Sequence, residues 1–224
     1  MCGRFTLTVD PGQLQEAFPW VDFPDQIPQR FNIAPSQPVA VVPNDGTNRL
    51  DFYNWGLIPF WAKDPKIGPR MINARSETIA EKPSFRGSFK YKRCLILADG
   101  FYEWQKRPDS KSKIPHFIHL RERQPFAFAG LWDSWNSEDG SEIRSCTIIT
   151  TEPNQLLINI HNRMPVILKP ESYKDWIKDG ENDPNLLMSF LKPYPSEAME
   201  AYPVSTMVNS PQNDSPDCVL PINR

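Results

Sequence analysis

Cys94-Leu95-Ile96-Leu97-Ala98-Asp99-Gly100-Phe101-Tyr102-Glu103-Trp104 is the stretch that decides how this chain is read. Its first half is a continuous apolar run, the pattern of a buried strand, and Asp99-Gly100 is a strong turn signal. Phe101–Trp104 then reads as the return strand, which predicts a hairpin. Working upstream, Phe5-Thr6-Leu7 alternates like a short strand, and Asp10-Pro11 supplies an N-cap and first-turn proline for a helix that Pro19 ends. Val39–Val42, Asn44-Asp45-Gly46 and Leu50-Phe52-Asn54 predict a second hairpin. Ile72–Thr78 opens a short helix that Pro83 stops. Downstream, His116–Leu120, Phe126–Leu131, Cys146–Thr150 and Val166–Leu168 read as strands, with a last one near Tyr202–Ser205. Asn154–Ile160, Pro170–Ile177 and Asn185–Leu191 read as helices. Strands that follow one another through turns predict an α+β fold: a single domain over residues 1–224 with a curved, mostly antiparallel, β-barrel-like sheet flanked by short helices.

The composition bounds the function. A chain of 224 residues buries one sizeable core, and a net charge of −2 gives no global case for nucleic acid. Charge is nevertheless uneven. Basic side chains outnumber Asp64, Glu77 and Glu81 between Trp61 and Arg93, whereas acids dominate from about residue 170 onward, where the chain is also more helical. Such asymmetry permits a local anion-binding face, and equally permits two ordinary solvated surfaces. Cys2, Cys94, Cys146 and Cys218 form no CxxC pair, so no zinc site and no cofactor is expected. No signal peptide or membrane span is read, which predicts a reducing, cytoplasmic setting. The 24 prolines, about twice ordinary usage, indicate long fixed loops.

Met1-Cys2-Gly3-Arg4-Phe5 carries the distinctive chemistry. With Met1 removed, Cys2 presents a 1,2-aminothiol. The amine condenses with an aldehyde to an imine, and the thiol closes on the imine carbon to give a thiazolidine. An α-amino group titrates near ~7.7–8.0 and a thiol near ~8.5, so part of each population is nucleophilic at neutral pH. Taken alone, the dipeptide equally fits a cysteine that fills the core.

Five ordered segments are read together with it: Cys2-Gly3-Arg4-Phe5, Asn32-Ile33-Ala34-Pro35, Ile72-Asn73-Ala74-Arg75-Ser76-Glu77, Asp99-Gly100-Phe101-Tyr102-Glu103-Trp104 and His161-Asn162-Arg163-Met164-Pro165. In order and spacing they resemble the SOS-response-associated peptidase (SRAP) family of abasic-site processing proteins, over nearly the whole chain. The resemblance implies a twisted barrel-like core, a basic channel for single-stranded DNA, self-removal of Met1, and a covalent crosslink between Cys2 and the aldehyde of a ring-opened abasic sugar. It implies proton transfer by Glu103 and His161, and hydrogen bonding of the Cys2 amine or the sugar by Asn73. From strand alternation alone, Glu103 fits a buried acid/base and a surface carboxylate equally. The places of Arg4, Arg75 and Arg163 inside these motifs argue for phosphate contacts, Arg86 is a further expected DNA contact, and Trp61 and Pro35 are expected to stack on or wedge between the flanking bases. His116 and His119 receive no role.

The expected partner is single-stranded DNA containing abasic sites, handled by a monomer associated with the nucleoid and not with a membrane. Two rivals remain. One is an N-terminal-nucleophile amidohydrolase of the glutamine amidotransferase type, although Arg4-Phe5 replaces the small apolar residues expected there. The other is a non-covalent single-strand binder using Trp61 and the basic stretch.

Overall fold

Arg93–Ala98 and Gly100–Arg107 are both strands, but they do not pair with each other, and the hairpin expected at Asp99-Gly100 is absent. The computed structural model describes residues 2–108 and 110–222, the side chain of residue 111 excepted. In chain order its strands are β1 (Phe5–Leu7), β2 (Arg30–Ile33), β3 (Pro38–Pro43), β4 (Asp51–Trp55), β5 (Asn73–Arg75), β6 (Arg93–Ala98), β7 (Gly100–Arg107), β8 (Ser110–Leu120), β9 (Phe126–Asn136), β10 (Glu142–Thr151), β11 (Met164–Pro165) and β12 (Met199–Pro203). Its α-helices are α1 (Pro11–Ala17), α2 (Arg86–Tyr91), α3 (Tyr173–Trp176) and α4 (Pro184–Ser189).

Strands β4, β3, β6, β9 and β10 close on one another in a ring, antiparallel throughout except where β10 meets β4 in parallel. A second, open sheet runs β12-β8-β7-β1-β2. The expected curved, mostly antiparallel, barrel-like α+β fold is therefore present, as a closed barrel with a second sheet beside it.

Asp99-Gly100 is the point where the chain leaves the barrel for the open sheet, and the local chemistry shows why it does not turn back. The Asp99 carboxylate accepts hydrogen bonds from the hydroxyls of Thr6 and Thr8 and from the Thr8 amide (2.8 Å), which ties the junction to β1. Gly100 lies opposite Thr6, and a Cβ there would stand 2.3 Å from the Phe117 ring. The glycine serves close packing, and its φ is not the positive one that a two-residue hairpin turn needs. By contrast Gly46, at φ 80°, belongs to the expected turn, and β3–β4 is a hairpin.

Two predicted helices are also replaced. Asn73–Arg75 forms a parallel ladder with β10 (Ile148 opposite Asn73, Thr150 opposite Arg75) before one 3₁₀ turn at Ser76–Thr78. An available strand edge outweighs local helix preference there. Residues 155–160 are consecutive turns, entered at Asn154, whose Oδ1 accepts from the Leu156 and Leu157 amides. The strand expected at Val166–Leu168 begins earlier, as β11, and continues only as an Ile167–Phe128 bridge.

All six residues of β6 are buried, Arg93 among them. Its guanidinium donates to the carbonyls of Phe89, Lys90, Trp176, Lys178 and Glu181, so a cation within the basic stretch is consumed in fastening α2 and α3 to the barrel. Phe5 of β1 packs edge-on against Trp55 (5.1 Å) and Phe128 (5.7 Å), locking the open sheet to the barrel.

Candidate active site

Where the open sheet meets the barrel edge, four separate segments converge. Cys2 lies just before β1, Glu103 lies midway along β7, Asn73 opens β5, and His161 sits in the loop before β11. Asn73 Nδ2 donates to the Cys2 carbonyl at 2.7 Å, and its Oδ1 is buried with no hydrogen-bond partner among the described residues. His161 Nε2 is 3.9 Å from Glu103 Oε2. His161 Nδ1 lies within hydrogen-bond distance of both the Arg163 amide (3.1 Å) and the Arg163 carbonyl (3.2 Å), which holds the ring with Nε2 on the side of Glu103. Gln105 Nε2 donates to Asn159 O (3.0 Å), holding this loop against β7.

Burial sets the electrostatics. Glu103 is only 2% exposed, which answers the question alternation left open, and burial pushes its pKa up to about 7. Burial lowers the His161 pKa below the ordinary imidazole value. A carboxyl raised to about 7 and an imidazole lowered from its ordinary value, 3.9 Å apart, form a candidate acid/base pair. Cys2 is fully buried in the apolar core, and burial, helped by the Glu103 charge, holds its thiol well above the ordinary cysteine range. Its Sγ donates to Arg4 O at 3.7 Å. In the chain that carries Met1, then, Cys2 is a protonated thiol packed inside.

The expected phosphate ligands divide into two kinds. Arg4 is engaged within the protein: Nη1 donates to Val208 O (2.6 Å) and Asn32 Oδ1 (2.9 Å), and Nη2 to Asn209 O (3.0 Å). It is an internal tie to the C-terminal segment. Arg163 is engaged by both Glu77 carboxylate oxygens and by Thr150 O (2.6 Å), and this pairing holds the Glu77 carboxyl below the usual range. Arg75 and Arg86 are exposed. Trp61 is 49% exposed and lines a shallow cleft of about 130 Å³ with Phe60, Tyr91 and Lys92; the four converging residues do not line it. Pro35 is half-buried beside Ser36, whose φ is 68°.

Two features escaped the sequence reading. His116 lies directly opposite Glu103 in the β7–β8 ladder and is buried; the pairing register, had it been worked out, exposes the relation. The C-terminal segment carried no readable motif, yet Asn32 Nδ2 reaches Val208 O, Ser210 O and Asn213 O, while Asp214 accepts the Phe31 and Asn32 amides. Among the described residues no cluster of side chains is arranged to hold a metal ion, and no helix is long and apolar enough to cross a membrane.

Comparison with known proteins identifies the family and the fold. Residues 1–211 match the family model of SOS response associated peptidase (SRAP). The chain is 52% identical over 222 residues to abasic site processing protein YoqW of Bacillus subtilis (strain 168), covering 98% of this chain and 99% of that one. It is 32% identical to abasic site processing protein HMCES of Xenopus tropicalis, covering 99% of this chain and 78% of the relative. A crystal structure of a protein from Bacteroides thetaiotaomicron superposes with a TM-score of 0.87 at 27% identity, covering 99% of this chain and all of that one. By family match, sequence identity and fold alike, the chain belongs to the SRAP family.

Proposed function

We propose that this protein processes abasic sites in single-stranded DNA by forming a covalent thiazolidine between mature Cys2 and the ring-opened sugar. The observation that carries the reading is the meeting of Cys2, Asn73, Glu103 and His161 from four distant segments, with Glu103 poised at about 7. The names of the relatives point the same way.

The chemistry begins with hydrolysis of the Met1–Cys2 peptide bond, which consumes one water and frees the amine. Glu103 and His161 then take a proton from the sugar's anomeric hydroxyl and return one to the ring oxygen, opening the aldehyde. The amine adds to the carbonyl carbon, and the resulting carbinolamine leaves an imine by loss of water, with Glu103 as the acid. The Cys2 sulfur adds to the imine carbon while its proton passes to the imine nitrogen. The net change after maturation is loss of one water. Positioned acid/base groups contribute about 10²–10⁴-fold to such steps. The orphan Asn73 Oδ1 is an acceptor for the freed amine or a sugar hydroxyl. Arg75 and Arg86 hold phosphates, Arg163 does so by exchanging Glu77 for one, and Trp61 and Pro35 pack against bases beside the lesion.

The full burial of Cys2 favours a second reading, non-covalent single-strand binding. Incubation of mature protein with single-stranded DNA bearing one abasic site separates them. The crosslinking reading expects an adduct resistant to heat and detergent, its mass lower than the sum of the reactants by one water, and lost in Cys2→Ala. Undiminished adduct from Cys2→Ala sinks the mechanism. Salt-sensitive, reversible binding indifferent to Cys2 establishes the second reading.

A further inference from the structure

We propose that Asn209 is a positioning residue for the N-terminal nucleophile: it staples Arg4 to Trp104 and thereby sets the separation of Cys2 from Glu103. The β1–β7 ladder pairs Phe5 with Phe101 and Thr6 with Gly100, so both Cys2 and Glu103 lie outside it. Beyond the ladder, the Arg4 carbonyl accepts the Tyr102 amide (2.9 Å) and the Cys2 thiol. The Arg4 side chain continues to the 3₁₀ turn Thr206–Asn209, where the carbonyls of Val208 and Asn209 receive it. From the same turn, Asn209 Oδ1 accepts the Trp104 indole N–H at 2.7 Å. Asn209 thus holds the residue two after Cys2 through its backbone and the residue after Glu103 through its side chain. Among the described residues it makes no hydrogen bond to Cys2 or Glu103 themselves, so its effect on them is indirect.

The turn is itself well anchored. Asn32 Nδ2 binds Val208 O (3.2 Å), the Ser205 hydroxyl caps the Met207 amide, and Val208 is buried with Tyr102 and Phe117. Replacing Asn209 by Ala leaves the Arg4 contact, which is to a carbonyl, and cuts only the tie to Trp104. A small displacement of a reacting group is enough to slow a reaction without weakening binding.

The DNA readout rests on the crosslinking reading, so the test has two arms on the mature full chain. In the first, single-turnover adduct formation is followed against DNA concentration. Asn209→Ala should lower the saturating rate about fivefold, the equivalent of one lost hydrogen bond, with the half-saturating concentration unchanged. Asn209→Asp, which keeps an acceptor for the indole, should restore the rate, and Asn209→Ala should add nothing to Trp104→Phe. Equal slowing by Asn209→Asp, or an unchanged saturating rate in Asn209→Ala, overturns the proposal. In the second arm, the pH dependence of Cys2 alkylation is read by peptide mass mapping without DNA. A shifted midpoint in Asn209→Ala supports the staple even if the wild type forms no adduct, in which case only the crosslinking reading falls. Superimposable profiles overturn the staple whatever the DNA result.

Discussion

Cys146 in the barrel and Cys2 beside the open sheet are equally buried, and burial raises both thiols, yet their surroundings differ in kind. Around Cys146 lie β4, β9 and β10 of a closed ring, where burial alone accounts for the raised thiol. Around Cys2 are an amide, a carboxyl and, through that carboxyl, an imidazole. The barrel keeps its polar groups for holding itself together, and those at the sheet edge are the ones we propose move protons. A closed ring has no edge at which to admit a substrate, whereas an open sheet meeting that ring leaves a seam.

If this division is right, the largest loss of stability comes from the barrel side. Arg93→Ala deletes a guanidinium satisfied by five carbonyls and leaves those acceptors in a closed space. About 4 kcal/mol or more should be lost, seen as a large drop in denaturation midpoint. Arg93→Lys should recover only part, since an ammonium cannot span the same fork. Adduct yield per folded molecule should be unchanged; a selective loss of adduct at full stability would place Arg93 in the site and break the comparison.

Glu103→Gln tests the other side, with the opposite signature. A carboxyl whose folded pKa is about 7 against an ordinary value of 4.5 binds its proton more tightly when folded. Its contribution to stability is therefore complete below pH 4.5 and is lost as pH rises toward 7. The difference of about 2.5 pH units corresponds to roughly 3 kcal/mol. In the chain carrying Met1, Glu103→Gln should match the wild type near pH 4 and become the more stable protein by pH 8, while crosslinking slows in the mature form. Thermal midpoints across pH check the first claim, and parallel curves refute it.

Cys146→Ala should cost about 1 kcal/mol for the vacated volume and leave adduct formation intact. The contrast with Cys2→Ala is the most direct sharpening of the two-region picture. Loss of adduct in Cys146→Ala at unchanged stability would mean that the barrel interior communicates with the seam.

How far residue patterns carry follows the same boundary. The strands of the barrel were readable because apolar runs such as Cys94–Ala98 and turn residues such as Asn44-Asp45-Gly46 act locally. Asp99-Gly100 was misread because a turn signal is local and a change of sheet is not: the Asp99 carboxylate chose Thr6 and Thr8, more than 90 residues away. Asn73–Arg75 failed as a helix for the same reason, its partner being β10. In the site, the family resemblance named Cys2, Asn73, Glu103 and His161, and the structure brings them together. It could not foresee that Arg4 is consumed by the carbonyls of Val208 and Asn209, because that requires knowing where the last segment lies.

Arg163 gives the smallest effect and the finest test of the seam. Its guanidinium is mostly buried while its partner Glu77 is half exposed, so the pair is a weak surface contact from the carboxylate's side and a poised one from the cation's. A DNA phosphate and the Glu77 carboxylate offer the same planar fork the same geometry, and cannot both occupy it. Glu77→Gln should thus leave folding nearly untouched and tighten single-stranded DNA binding about two- to fivefold at low salt, with the dependence of log affinity on log salt steeper by roughly 0.7 for one added phosphate contact. Arg163→Gln should lose that gain in the double variant, since the released cation is its source. A Glu77→Gln protein whose salt slope is unchanged would mean that Arg163 stays with Thr150 and never meets DNA, leaving the phosphate contacts to Arg75 and Arg86.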